Sequence, residues 1–331
     1  MKHNHITLAH GNGGEESSLL INKIFYEAFN NDILKKSEDA AIIEGGKLAF
    51  STDSFTVTPL FFSGGDIGKL AVCGTCNDLA MMGARPKYLT CSVIIEEGFS
   101  IDSLEKIVDS MKKELTVNGA IVVSGDTKVV PKGSVDKIFI NTTGIGEVLY
   151  PEISASKITE DDLILLSRDI GNHGAAIFAS REGIELSSDL KSDCASLYPI
   201  VKKLIDAKVK ISALRDATRG GVSAVLNEWA QSSNICIEIE ERHIPMSDEV
   251  MGLCEILGFD AISLANEGTF VLAIQKEDAS KALEILKIYN SFASVVGKVT
   301  QHYSKKVVLH SEWGTTRFLD MPSGELLPRI C

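Results

Sequence analysis

The chain has 331 residues, 44% of them hydrophobic, with 33 basic against 45 acidic side chains and a net charge of −12. That length and apolar share suit a large core divided over two domains, and an acidic chain without a Lys/Arg cluster excludes a nucleic-acid backbone as partner. No apolar run reaches the roughly 18 residues of a membrane span, the first residues lack a signal-peptide core, and an odd number of scattered cysteines forms no disulfide framework, so the cytoplasm is the expected location.

In chain order, His10-Gly-Asn-Gly-Gly14 has no strand before it and no third spaced glycine, which makes it a mobile loop and not a dinucleotide fingerprint. Leu19, Leu20, Ile24, Phe25 and Phe29 then recur at helical spacing, predicting one core-facing helix. Residues 41–43 and 47–52 read as strands joined by a turn at Gly45 and Gly46, with Asp53 at the second strand's end. Asp66 is placed to cap a helix that carries Asn77 and Asp78 and stops near Gly83. A strand (88–95), a helix (101–117), an apolar strand (120–123) running into Ser124-Gly-Asp-Thr-Lys-Val-Val130, and a strand (137–148) complete an α/β unit. Residues 151–162 are polar and read as the connection to a second unit.

That second unit opens with a buried strand (163–167) and a short helix led by Gly171-Asn-His-Gly174. Helices at 195–207, 221–231, 248–257 and 278–289 alternate with strands near Ile211, Ile235, 270–274, Val295 and Val307. The expected organisation is a loop and helix (1–38), a first α/β domain (39–152), a second α/β domain (153–315) and a tail (316–331). The tail ends in a free thiol, Cys331. Its last seven residues, 325–331, would reach roughly 23 Å when extended, with Gly324 as a hinge and Pro328 as a stiff point.

Asp53, Asp78 and Asp126 are flanked by small or hydroxylated residues at or beside the ends of buried elements. Carboxylates of this kind suit a magnesium ion that keeps waters and bridges to phosphates, and no Walker A sequence is present; singly, each also serves as a cap or turn residue. Cys73-Gly-Thr-Cys76 lies inside a helix and lacks two further zinc ligands, so both cysteines are expected in the core. Arg215-Asp-Ala-Thr-Arg-Gly-Gly221 precedes a helix, so Arg215, Arg219 and backbone amides are able to face an anion. Asn266-Glu-Gly268 joins two strands. His173 is open to two readings, a structural histidine or a proton carrier.

Taken together, His10-Gly-Asn-Gly-Gly14, Asn77-Asp-Leu-Ala-Met-Met-Gly83, Gly125-Asp-Thr-Lys-Val-Val130, Arg215-Asp-Ala-Thr-Arg-Gly-Gly221, Ala265-Asn-Glu-Gly268 and the terminal Pro-Arg-Ile-Cys331 resemble the HypE family of hydrogenase-maturation proteins. The Asn-Asp-Leu-Ala element is shared with the wider PurM-like superfamily of ATP-using enzymes, whereas the terminal Pro-Arg-Ile-Cys is specific. The resemblance implies a two-domain PurM-like α/β fold whose first domain pairs in a homodimer, with strands such as 47–52 compatible with that pairing. It implies that HypF carbamoylates Cys331, that ATP with Mg2+ drives dehydration of the thiocarboxamide to thiocyanate, and that the cyano group passes to iron on HypC and HypD as a cyanide ligand. By resemblance Lys128 is the first base and Glu267 the second. Asp53, Asp78 and Asp126 become metal ligands with Asp216 as a fourth, Gly11, Gly13 and Gly14 cover the nucleotide, and Arg219 joins the nucleotide-binding set. A base at Lys128 requires a nearby arginine to lower its pKa. Two alternatives remain: a synthetase or kinase acting on a diffusible small molecule, and a metal chaperone using Cys331 with Cys73 and Cys76.

Overall fold

The computed structural model describes all residues except 1–5, 12, 30, 44–46, 185–189, 325–326 and 328. The expected turn at Gly45 and Gly46 and the stiff point at Pro328 therefore lie outside the described residues. Helix α1 (Glu15–Leu20) passes through a π turn (Ile21–Tyr26) into the short α2 (Glu27–Phe29). The helix is present, but it does not face the core: Phe25 is 45% and Phe29 64% exposed. It packs on its own preceding turn, Leu8–Gly11, and not on a sheet, so helical spacing gave the element without its orientation.

The first domain contains β1 (Ala41–Ile42), β2 (Leu48–Phe55), the small β3 (Phe61–Phe62) and β4 (Gly65–Asp66), α3 (Ile67–Met81), β5 (Ala84–Glu96), α4 (Ile101–Asn118), β6 (Ile121–Val130) and β7 (Ile138–Val148). Its main sheet runs β1-β2-β7-β5-β6, with only the β5–β6 pair parallel. Asp66 caps α3 as expected, accepting from the Gly68 and Lys69 amides at 2.7 and 3.1 Å. Helix α3 is apolar all round because it is enclosed all round, and Cys73 and Cys76 are fully buried in it. Helix α4 is amphipathic and buries Ile107 and Met111.

The apolar strand expected at 120–123 and the segment that follows it form one strand, β6 (Ile121–Val130), almost wholly exposed along its length. Strand β6 forms one edge of the sheet, and at the other β1 covers β2 only at Ala49 and Phe50.

The second domain contains β8 (Leu163–Leu166), α5 (Asn172–Glu182), α6 (Tyr198–Asp206), β9 (Ile211–Asp216), α7 (Gly221–Ser233), β10 (Cys236–Glu240), α8 (Asp248–Leu257), β11 (Phe270–Ile274), α9 (Ala279–Tyr289), β12 (Ser294–Thr300), β13 (Lys306–His310) and β14 (Thr316–Phe318). The sheet order is β14-β13-β10-β12-β8-β11-β9. One face packs on α7 around Trp229, the other on α6 and α9 around Leu204 and Leu286. A strand covered on both faces must be apolar throughout, as β11 is. Strand β14 pairs with β13, so the domain's sheet extends past residue 315 and the tail starts after it.

Candidate active site at the docked tail

The last three residues lie along residues 56–58 as a short antiparallel extension. The Thr56 amide donates to the Cys331 carbonyl at 3.0 Å, and the Thr58 amide to the Arg329 carbonyl at 3.3 Å. The Arg329 guanidinium donates back to the Thr56 carbonyl at 2.9 Å and to Asp136 at 2.8 Å, and it stacks 5.6 Å from the Phe139 ring centre. Arg181 donates to the Arg329 carbonyl, and His173 Nε2 meets the Ile330 carbonyl, at 2.9 and 2.8 Å. Ile330 is buried between the domains, in a cluster with Ala265 and Ile177. Gly324, at φ +80° with open space around it, sits where the chain turns away from α1 toward this groove.

Docking carries the Cys331 thiol between charges drawn from both domains. Burial pushes its pKa up to about 12, Arg219 opposes that shift, and Glu267, Asp53 and Asp216 reinforce it. At neutral pH the docked sulfur is therefore a neutral thiol. The Cys331 sulfur is likewise the largest influence on Arg219, at the turn before α7. Gly13 seats the glycine loop on that turn. Its φ of +75° suits glycine, and a Cβ there would lie 2.8 Å from the Arg219 carbonyl oxygen. The Gly13 amide donates to Ser17 Oγ at 2.9 Å, and Gly14 abuts the Pro322 carbonyl, so these glycines are wedged between α7 and the tail. Gly11 closes the turn that precedes them.

Glu267 is 3% exposed, and its Oε1 has no hydrogen-bond partner among the described residues. Burial first, then Asp216 and Asp193, pushes its carboxyl well above the usual carboxylate range. Its loop is rigid: Asp193 accepts from the Glu267 and Gly268 amides and the Thr269 hydroxyl at 3.0, 2.9 and 2.7 Å. At Gly268 any Cβ would overlap the Asp193 carbonyl, so only glycine allows this approach. Asn266 ties the loop to the Ala217 carbonyl at 2.9 Å and to the Gly171 amide at 2.7 Å. The Asn-Glu-Gly signal is thus a brace as well as a turn.

Asp78, Asp53 and Asp216 meet where β2, α3 and β9 converge. Burial first, then Asp53, Asp216 and Asp39, pushes Asp78 well up, and Asp216 is raised likewise by burial, Asp39 and Asp53. Mutual repulsion of this kind is what a cation relieves. Among the described residues, however, no group of three or more His, Cys, Asp or Glu side chains is arranged to hold a metal ion. A cavity of about 700 Å³ opens on Asp53 and Asp78, with Lys35, Lys36 and Asp39 also on its wall. Arg215 does not face this space as an anion-binding group. It is spent on Asp39 at 2.6 Å, on Glu228 and on the Ser37 carbonyl at 2.6 Å.

A single chain does not bring Asp126 and Lys128 to the other candidates. Asp53 shares a cross-strand row with Thr142, Cys91 and Gly125, whereas Asp126 shares the next row with Ser92, Asn141 and Ser54. Alternation sends adjacent rows to opposite faces, and the three strand spacings between β2 and β6 amount to about 14 Å. Spacing in the sequence gave no sign of this, because it does not reveal strand order. Lys128 is 64% exposed and bonds Asp126 at 2.6 Å, which holds the Asp126 carboxyl below its usual range. Arg219, one of the arginines considered for Lys128, interacts with Cys331. Arg181, Thr56, Asp136 and Asp193 also serve the site without any sequence signal, being scattered across both domains.

The descriptions "AIR synthase related protein", N-terminal and C-terminal domains, match residues 37–148 and 159–310. Carbamoyl dehydratase HypE of Escherichia coli strain K12 is 45% identical, over 99% of this chain and 100% of that protein. A chain from a crystal structure of a HypE–HypF complex superposes with a TM-score of 0.88 at 45% identity, over 92% of this chain and 99% of that one. HypE crystallised in complex with ATP gives a TM-score of 0.84 at 43% identity, over 99% and 100%. With the two-domain fold, the braced Asn-Glu-Gly loop and the terminal cysteine held at the domain junction, the chain belongs to the HypE family of carbamoyl dehydratases, built from the two domains of the AIR synthase related proteins.

Proposed function

We propose that this chain dehydrates a thiocarboxamide carried on its own Cys331, using ATP, and delivers the resulting cyano group to iron for a hydrogenase centre. The observation that carries this reading is the docked tail, which sets the Cys331 sulfur among Arg219, Glu267, Asp53 and Asp216. A carbamoyl group on that sulfur would meet a buried base and a cation at once. Its amide oxygen attacks the γ-phosphorus, ADP leaves, and the oxygen becomes part of a phosphate leaving group. Removal of both N–H protons and loss of phosphate then leave S–C≡N.

Glu267 is the base for one proton, since burial and neighbouring carboxylates make its ionised form a stronger base than an exposed carboxylate. Arg219 steadies charge on the substrate oxygen. Mg2+ needs only one or two protein carboxylates when phosphates supply its other ligands, so Asp53 and Asp78 would hold it together with ATP, where it would neutralise charge on phosphate. The cavity on Asp53 and Asp78 has a volume typical of a nucleotide-sized site. Lys128 and Asp126 enter in this reading from a second copy of the chain. The exposed apolar edge of β6, with Ile121, Val123 and Val129 each more than half exposed, supports such a homodimer.

A neutral docked thiol is a poor nucleophile, so carbamoylation by HypF needs the tail released, as does transfer to HypC and HypD. The cytoplasm suits seven free cysteines, and no helix among the described residues is long and apolar enough to cross a membrane. Mass spectrometry of the terminal peptide after incubation with HypF, carbamoyl phosphate and ATP tests the reading. A carbamoyl gain followed by loss of one water is expected; a persistent carbamoyl adduct with ATP present refutes it.

A further inference from the structure

In the docked tail the carbonyls of Arg329 and Cys331 point to residues 56–58, where backbone amides satisfy them. The pleat turns the Ile330 carbonyl the other way, into the domain junction, with Ile330 only 3% exposed. A buried carbonyl needs a donor, and the hydrogen bond shown for it comes from His173 Nε2 at 2.8 Å. We propose that His173 is the positioning residue of the tail, fixing through the Ile330 carbonyl the pose in which the Cys331 thiol enters the site.

Three features make His173 suited to this. Its ring is oriented edge-on against Phe62, with centroids 5.5 Å apart. Its tautomer follows from Ser192, whose Oγ accepts from the Cys194 amide at 3.0 Å and gives its own proton to His173 Nδ1 at 2.7 Å, leaving Nε2–H to donate to the carbonyl. Its helix start is bonded to the loop that carries Glu267: the Gly171 amide donates to Asn266 Oδ1 at 2.7 Å and the Gly174 amide to the Ala265 carbonyl at 2.9 Å. His173 and Glu267 therefore form one rigid unit, and holding the tail with the first sets the distance of the sulfur from the second. This assignment extends the proposed chemistry at Cys331, but docking can be measured without that chemistry.

The experiment alkylates the full-length native protein with iodoacetamide and follows the Cys331 peptide by mass spectrometry, which separates it from the other partly exposed thiol, Cys91. His173→Leu removes the donor and should speed Cys331 labelling roughly tenfold to a hundredfold, the worth of a buried carbonyl left unsatisfied. His173→Gln keeps an N–H within reach of the Nε2 position and should label at the wild-type rate. Ser192→Ala frees the tautomer and should label faster than wild type. In the carbamoylated protein, single-turnover water loss should slow in His173→Leu and recover in His173→Gln. Unchanged labelling in a folded His173→Leu, or equal acceleration in His173→Gln, overturns the proposal; if His173→Leu does not fold, unchanged labelling in Ser192→Ala overturns it. Failure of the dehydratase reading appears separately, as unchanged ATP turnover in Cys331→Ser.

Discussion

Glu267 and Arg215 show how differently two buried charges are used. Glu267 is buried with one oxygen unpartnered and its pKa raised, an arrangement that favours proton uptake over stability. A raised carboxyl pKa contributes stability that is complete below the unfolded value, about 4.3, and lost as pH rises toward the folded one. Glu267→Gln should therefore melt at a higher temperature than wild type at pH 7, with the gap closing near pH 4, while the dehydration rate falls about 10²- to 10⁴-fold. A lower melting temperature at pH 7 would contradict this. Arg215 is structural: Asp39, pushed up to about 6 by burial despite the adjacent guanidinium, depends on it. Arg215→Met leaves that carboxylate uncompensated and should cost about 3–5 kcal/mol in urea unfolding.

Among the elements, β6 is the least complete. Its Ile121, Val122, Val123 and Val129 are each more than 40% exposed, and it carries Asp126 and Lys128. An exposed apolar edge strand is a template for pairing. Val123→Lys should leave the melting temperature of a single chain nearly unchanged, yield monomers in sedimentation, and abolish ATP turnover together with the contribution of Lys128. Retained turnover in a monomer would separate Lys128 from the chemistry. Helix α1 teaches the complementary lesson. Its apolar spacing was legible, but spacing marks a face and not what covers it, and the segment running from α1 into α2 turns Phe25 and Phe29 outward.

Across the whole molecule, the tail stitches the two domains: Arg329 binds the first through Asp136 and Thr56, while His173 and Arg181 of the second hold the neighbouring carbonyls. Deleting residues 329–331 should cost at most about 3 kcal/mol of stability, chiefly the burial of Ile330, yet abolish ATP turnover dependent on carbamoylation. Preserved turnover would favour a diffusible substrate.

By itself the sequence determined the elements and most of the chemistry-bearing residues: a capped α3 with Asp78 in its last turns, the glycine-opened α7 after Arg219, the Asn-Glu-Gly loop and the terminal thiol are each set by local spacing and backbone preference. The tertiary structure decided which of them meet. Strand order and alternation set Asp126 and Lys128 apart from Asp53, ion pairing spent Arg215 on Asp39 and Glu228, and docking brought Cys331 to Arg219 and Glu267. Local interactions fix an element within a few residues, whereas these encounters depend on partners from other elements, up to 176 residues away for Arg215 and Asp39, which only the packed chain brings together.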